Sequence, residues 1–124
     1  MNFKRYKRVS AMMVLIALGS SIAAFPAMAA DRFGAIAMSP TSGAWGVTFD
    51  YGSRVVAERE ALRQCGQSDC AIRIWFKNQC AALVHNDQSM AWGLGNTLQT
   101  AQANALDALG TSGQTLAQVC SRRR

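Results

Sequence analysis

The sequence predicts an α+β domain: a mainly antiparallel sheet with two helices packed on one face, built as a ββαβ pseudo-repeat. Three observations carry this reading. Short stretches alternate in side-chain character with period 2, as strands do. Two longer stretches, Arg54 to Gln64 and Leu98 to Leu109, have helical spacing and capping residues at their ends. Residues of the first half also recur in the second at a constant offset of 44 from Ala57 onward.

Phe33 to Met38 forms a short extended segment, closed by the turn composition Ser39-Pro40-Thr41-Ser42-Gly43. Trp45, Val47, Phe49 and Tyr51 alternate with Gly46, Thr48 and Asp50, a strand with one aromatic face. Ser53 is placed to cap the first helix and Gly66 to stop it. Ala71 to Lys77 is a strand with Ile72, Ile74 and Phe76 on one face. Asn78-Gln79 connects it to a strand of Cys80 to Asn86, and a further strand covers Ser89 to Gly95. Thr97 caps the second helix, whose Leu98, Ala101, Ala105 and Leu109 share one face. Gly110 to Gln114 is a loop and Thr115 to Cys120 the last strand. Small residues on both helices (Ala57, Ala61, Ala101, Ala105) permit close approach to a sheet.

The repeat also bears on the cysteines. Ala44-Trp45-Gly46 recurs as Ala91-Trp92-Gly93, and Ala61-Leu62 followed by Cys65-Gly66 recurs as Ala105-Leu106 followed by Leu109-Gly110. All four cysteines, Cys65, Cys70, Cys80 and Cys120, follow the first thirty residues, and an even number in a small exported domain implies two disulfides. Zinc is not supported, because the spacings are not C-x-x-C and His85 is the sole histidine. Cys65 and Cys70 fall on Leu109 and Gln114 in the second copy, so they are absent together, as a bonded pair would be. This favours Cys65–Cys70 and leaves Cys80–Cys120. On the loop-entropy account the short bridge contributes roughly 2 kcal/mol and the long one roughly 4.

The chain of 124 residues carries 13 Lys+Arg against 7 Asp+Glu, a formal net charge of +6. The first thirty residues account for much of it. Lys4, Arg5, Lys7 and Arg8 precede an apolar run from Val9 to Ile22 and an A-x-A exit at Ala27 and Ala29. That is the pattern of a secretory signal peptide over residues 1–29, with cleavage after Ala29. The run is shorter than the ~20 residues of a membrane span. No stable membrane anchor is therefore expected after cleavage, and the location is periplasmic or secreted. A single domain spans residues 30–121, followed by a basic tail of Arg122, Arg123 and Arg124. The body from Asp31 to Ser121 has 6 basic and 7 acidic residues, a net of −1. Specific nucleic-acid binding is thereby disfavoured. Four of the methionines leave with the leader, and Met38 and Met90 make no copper site.

Four blocks in order resemble a known family. They are F-G-A-I-A-M-S-P-T-S-G-A-W-G (Phe33 to Gly46), the A-x-x-x-A-L-x-x-C helix, C-A-I-R-I-W-F-K-N-Q-C (Cys70 to Cys80) and A-W-G-L-G-N-T (Ala91 to Thr97). Together they resemble the bacterial domain of unknown function family 4189, over nearly all of the chain beyond the leader. The resemblance implies a small exported domain, often with a further cysteine pair, for which this sequence has Leu109 and Gln114. It implies fold and compartment, and carries over no catalytic residue and no cofactor.

The constellations that could carry chemistry are weak. His85 and Asp87 with a serine would make a triad, but there is no nucleophile elbow and His85-Asn86-Asp87 sits at a hairpin turn. A glycosidase needs two carboxylates across a cleft, whereas Glu58 and Glu60 on one helix point apart. Gly93-Leu94-Gly95 lacks the context of a phosphate loop. Trp45 and Trp92 hold matching places and read as two halves of one core. Arg73, Trp75 and Lys77 are different. If Ile72, Ile74 and Phe76 face the helices, these three face the other way, onto an open sheet face. A tryptophan between two cations there suits a glycan, an acidic peptide or a partner protein. The expected function is an exported, disulfide-stabilised, non-enzymatic binding module without cofactor or metal. An inhibitor or immunity-type protein of the envelope is one form, with a protein or glycan as partner. A cell-wall or glycan hydrolase and a secreted effector are the alternatives.

Overall fold

Residues 29–123 are described in the computed structural model. The expected leader up to Met28, and Arg124, lie outside the described residues. The elements run β1 (Phe33–Met38), β2 (Trp45–Tyr51), α1 (Arg54–Cys65), β3 (Ala71–Lys77), β4 (Cys80–His85), β5 (Met90–Gly95), α2 (Leu98–Leu109) and β6 (Gln114–Cys120). Both helices begin and end where local chemistry demands. The Ser53 and Thr97 hydroxyls accept the Val56 and Thr100 amides, and Gly66 and Gly110 close the helices at φ 73° and 84°.

The α+β class, the antiparallel pairing and the ββαβ repeat are as the sequence predicts, but the layering needs correction. Instead of one sheet with both helices on one face, the strands form two three-stranded sheets, ordered β2-β1-β3 and β5-β4-β6. The cause is that the central strands are apolar on both sides. Along β1, Ala35 and Ala37 pack under α1 with Ala57 and Ala61. Their neighbours Ile36 and Met38 turn the other way, against Ala81 and Leu83 of β4. Along β4, Cys80, Ala82 and Val84 pack under α2 with Ala101 and Ala105. A strand buried on both faces needs a layer on each side. The result is helix, sheet, sheet, helix, with the largest core between the sheets.

The Ala-Trp-Gly repeat is explained by this layering. Ala44 and Ala91 face the helices, while Trp45 and Trp92 turn into the core between the sheets. The glycine faces the helix again at closest approach. A Cβ on Gly46 would lie 2.2 Å from the Ala61 carbonyl oxygen, and one on Gly93 2.2 Å from the Ala105 nitrogen. Only glycine lets the helix lie this close.

The halves are tied at one end. Asp50 donates its N–H to the Ser121 hydroxyl (2.9 Å) and accepts the Arg122 N–H on Oδ1 (3.0 Å). Asn78 clamps the start of the domain: its Oδ1 accepts the Arg32 N–H, and its own N–H donates to the Arg32 carbonyl. Disulfides join Cys65 to Cys70 and Cys80 to Cys120, the pairs the repeat favours. They fit an oxidising, non-cytoplasmic location. No helix among the described residues is long and apolar enough to cross a membrane.

Candidate functional site

Trp75 is reached by an irregularity in β3. Ile36 pairs with Ile74 but Ala37 with Ile72, so Arg73 is the extra residue of a β-bulge. The bulge reverses the alternation. Ile72 packs on the α1 side, whereas Ile74 and Phe76 enter the core between the sheets. The open sheet face expected for Arg73, Trp75 and Lys77 therefore does not exist, because the second sheet covers it. Trp75 pairs with Ala35 and stands on the α1 side, 37% exposed.

Its surroundings were only partly foreseeable. The Arg54 guanidinium lies 4.2 Å from the Trp75 ring centroid, and the Phe33 ring 6.3 Å away at 35°. Arg54 is the first residue of α1, whose first turn holds no acid. A cation there opposes the helix dipole. Two contacts offset this: the ring beneath it and the Glu58 carboxylate, which accepts the Arg54 Nε–H at 2.9 Å. Phe33 also pairs with Lys77, whose Nζ is 3.9 Å from Asp31. The structure thus gathers Trp75, Lys77, Phe33 and Arg54 and leaves Arg73 at the bulge. The signal missed in the sequence was a cation in place of an acid just after the Ser53 cap.

Asp31 is the electrostatic centre of the same end. It accepts hydrogen bonds from Asn78 and Arg123 and faces Lys77, and the Asn78 bond above all holds its carboxyl below the usual value. Of the expected tail, Arg122 and Arg123 are docked: the preceding Ser121 is buried, Arg122 is held by Asp50, and Arg123 by Asp31.

The other candidates are placed apart. His85, Asn86 and Asp87 line a cavity of about 210 Å³ with Gly113 and Gln114, at the opposite end of the second sheet. The Asn86 side-chain Oδ1 holds the turn by accepting the Gln88 and Ser89 N–H groups, and among the described residues no serine, threonine or cysteine lines the cavity. Glu58 pairs with Arg54 and Glu60 with Arg63, and the Arg63 hydrogen bond lowers the Glu60 carboxyl. That is the reverse of the raised value a general acid needs. Met90, Ala91, Trp92 and Ala108 border a second, apolar hollow of about 300 Å³. Among the described residues no group of three His, Cys, Asp or Glu is arranged for a metal ion. Sequence reasoning also missed a polar knot: Asp69 accepts the Ser39 and Thr41 hydroxyls at 2.7 and 2.6 Å and pins the Ser39–Gly43 turn.

Comparison with known proteins follows the same outline. Residues 33–122 match the family model described as Domain of unknown function (DUF4189). Protein Rv1269c of Mycobacterium tuberculosis is 44% identical over 84 residues, covering 68% of this chain and 66% of that protein. Uncharacterized protein Rv1813c of the same organism is 33% identical over 90 residues, covering 73% of this chain and 62% of that protein. The matched part thus spans just under two thirds of the length of these relatives. The NMR structure of Rv1813c superposes with a TM-score of 0.62 at 28% identity, covering 78% of this chain and 81% of that one.

Proposed function

Because this chain belongs to the family described as Domain of unknown function (DUF4189), whose matched residues 33–122 contain every described strand and helix, we propose that it is a disulfide-stabilised, non-enzymatic binding module. It acts after export, in the periplasm or outside the cell. The observation that carries the reading is the half-exposed Trp75 ring with the Arg54 guanidinium stacked on it. Tryptophan and arginine are the side chains that most often dominate binding energy at interfaces. Here they are held ready: Glu58 and the helix fix Arg54, and Phe33 flanks the ring. A site that breaks a local helix rule yet is held in place by its neighbours is where function is expected. An envelope protein is the favoured partner and a glycan the second.

The test compares wild type with Trp75→Ala, checked for retained fold by circular dichroism. Partners are captured from an envelope extract while peptidoglycan turnover is assayed in parallel. The proposal expects a stoichiometric partner lost in Trp75→Ala and no turnover. Turnover that disappears in His85→Ala would replace it with the hydrolase alternative.

A further inference from the structure

Arg122 belongs to the expected basic tail, yet its guanidinium lies on the Cys80–Cys120 bridge. Nη2 is 3.5 Å from each sulfur. Nη1 donates to the Asn96 carbonyl at 3.5 Å, and that carbonyl is 3.8 Å from Cys80 Sγ. The backbone of Arg122 is anchored outside the bridge. Its N–H is held by Asp50, and the preceding Ser121 by Asp50 and by the Gln79 carbonyl. The backbone that carries the cation thus has anchors other than the bridge, and its guanidinium keeps the Asn96 carbonyl as a partner outside the sulfurs.

A neutral disulfide gains little from a cation at this distance. A thiolate gains a charge-assisted hydrogen bond and a lowered thiol pKa. Arg122 thus stabilises the reduced pair more than the oxidised one. The other bridge differs: Cys65 is the last residue of α1, where the helix dipole opposes a thiolate. From this contrast we infer that Cys80–Cys120 is a thiol–disulfide exchange site for an external dithiol, and Cys65–Cys70 a structural staple.

A thiolate of the dithiol attacks Sγ of Cys120, which is part-exposed, whereas Cys80 is fully buried. A new S–S bond forms, the Cys80–Cys120 bond breaks, and the electron pair leaves on Cys80 Sγ beside Arg122. The second thiolate of the dithiol then displaces Cys120 and closes its own disulfide. Two electrons pass from the dithiol to the bridge, and each freed thiolate takes a proton from water according to its pKa.

The experiment equilibrates the mature protein in buffers of reduced and oxidised dithiothreitol. Each bridge is then quantified by alkylation and peptide mass spectrometry. Arg122→Met is expected to shift the Cys80–Cys120 equilibrium toward the disulfide by about tenfold, some 30 mV. Arg122→Gln repeats the measurement with a side chain that keeps hydrogen-bond donors without the charge. Arg122→Lys should restore part of the effect, and Arg123→Met should show none. The difference from wild type should widen with rising pH, as thiolates form, and vanish where all thiols are protonated. The Cys65–Cys70 equilibrium should not move in any variant. The inference fails if Arg122→Met and Arg122→Gln match wild type at every pH, or if they shift both bridges alike.

Discussion

The Thr48 hydroxyl accepts the Ala35 N–H at 3.1 Å and donates to the Ala57 carbonyl at 2.8 Å, so one buried side chain joins β1, β2 and α1. Thr48→Val keeps the shape, takes the side-chain acceptor from the Ala35 N–H and leaves the Ala57 carbonyl its helical bond alone. It should cost about 1–3 kcal/mol in urea unfolding. Asp69 gives a pH signature. Hydrogen bonds from Thr41 first and Ser39 second hold its carboxyl below 3.8, so its folded pKa lies below the unfolded one. The stabilisation is then complete above pH 3.8 and is lost as pH falls through the folded value. Asp69→Asn should melt below wild type at neutral pH, with the gap closing as the solution is acidified. At Trp75 the sequence showed a tryptophan among cations but placed it on the wrong side. The register of β3 depends on a bulge at Arg73, and a one-residue shift exchanges the faces of a strand. Nothing in the alternation of Ile72, Ile74 and Phe76 marks such a shift.

At the scale of elements, local chemistry was legible and partnership was not. Ser53, Gly66, Thr97 and Gly110 fix the helix ends through short-range bonds, so their positions follow from the residues alone. Ser53→Ala and Thr97→Ala should each cost about 1 kcal/mol. The run Cys80 to Val84 reads as a buried strand in any architecture, and periodicity does not say what covers its second face. The repeat of Ala-Trp-Gly held that information, because each residue of the triplet serves a different layer. Gly46→Ala and Gly93→Ala bring a Cβ within 2.2 Å of helix backbone, which cannot swing aside as a flexible side-chain tip can. Each should destabilise by about 1–3 kcal/mol or more in chemical denaturation. Gly52→Ala, where the nearest neighbour of a Cβ is the Arg32 guanidinium at 3.9 Å, should be near neutral.

At the scale of the whole molecule, each ββαβ unit packs its helix on one face of its sheet, and the other face is covered only by the other unit. Unfolding should therefore be one transition. Leu83→Ala, which empties the centre of the shared core, should lower its midpoint by an amount equivalent to about 2–5 kcal/mol without splitting it. The fold leaves two ends of different character. One gathers Trp75, Arg54, Lys77 and the docked arginines, and the other holds the His85 cavity. The functional proposal assigns binding to the first. Site-specific photocross-linking separates the two most directly, with a photoreactive phenylalanine analogue at position 75 or at position 85 in cells that export the chain. The account predicts one dominant adduct of defined mass from position 75 and none from position 85. An adduct from position 85 with none from position 75 would contradict it.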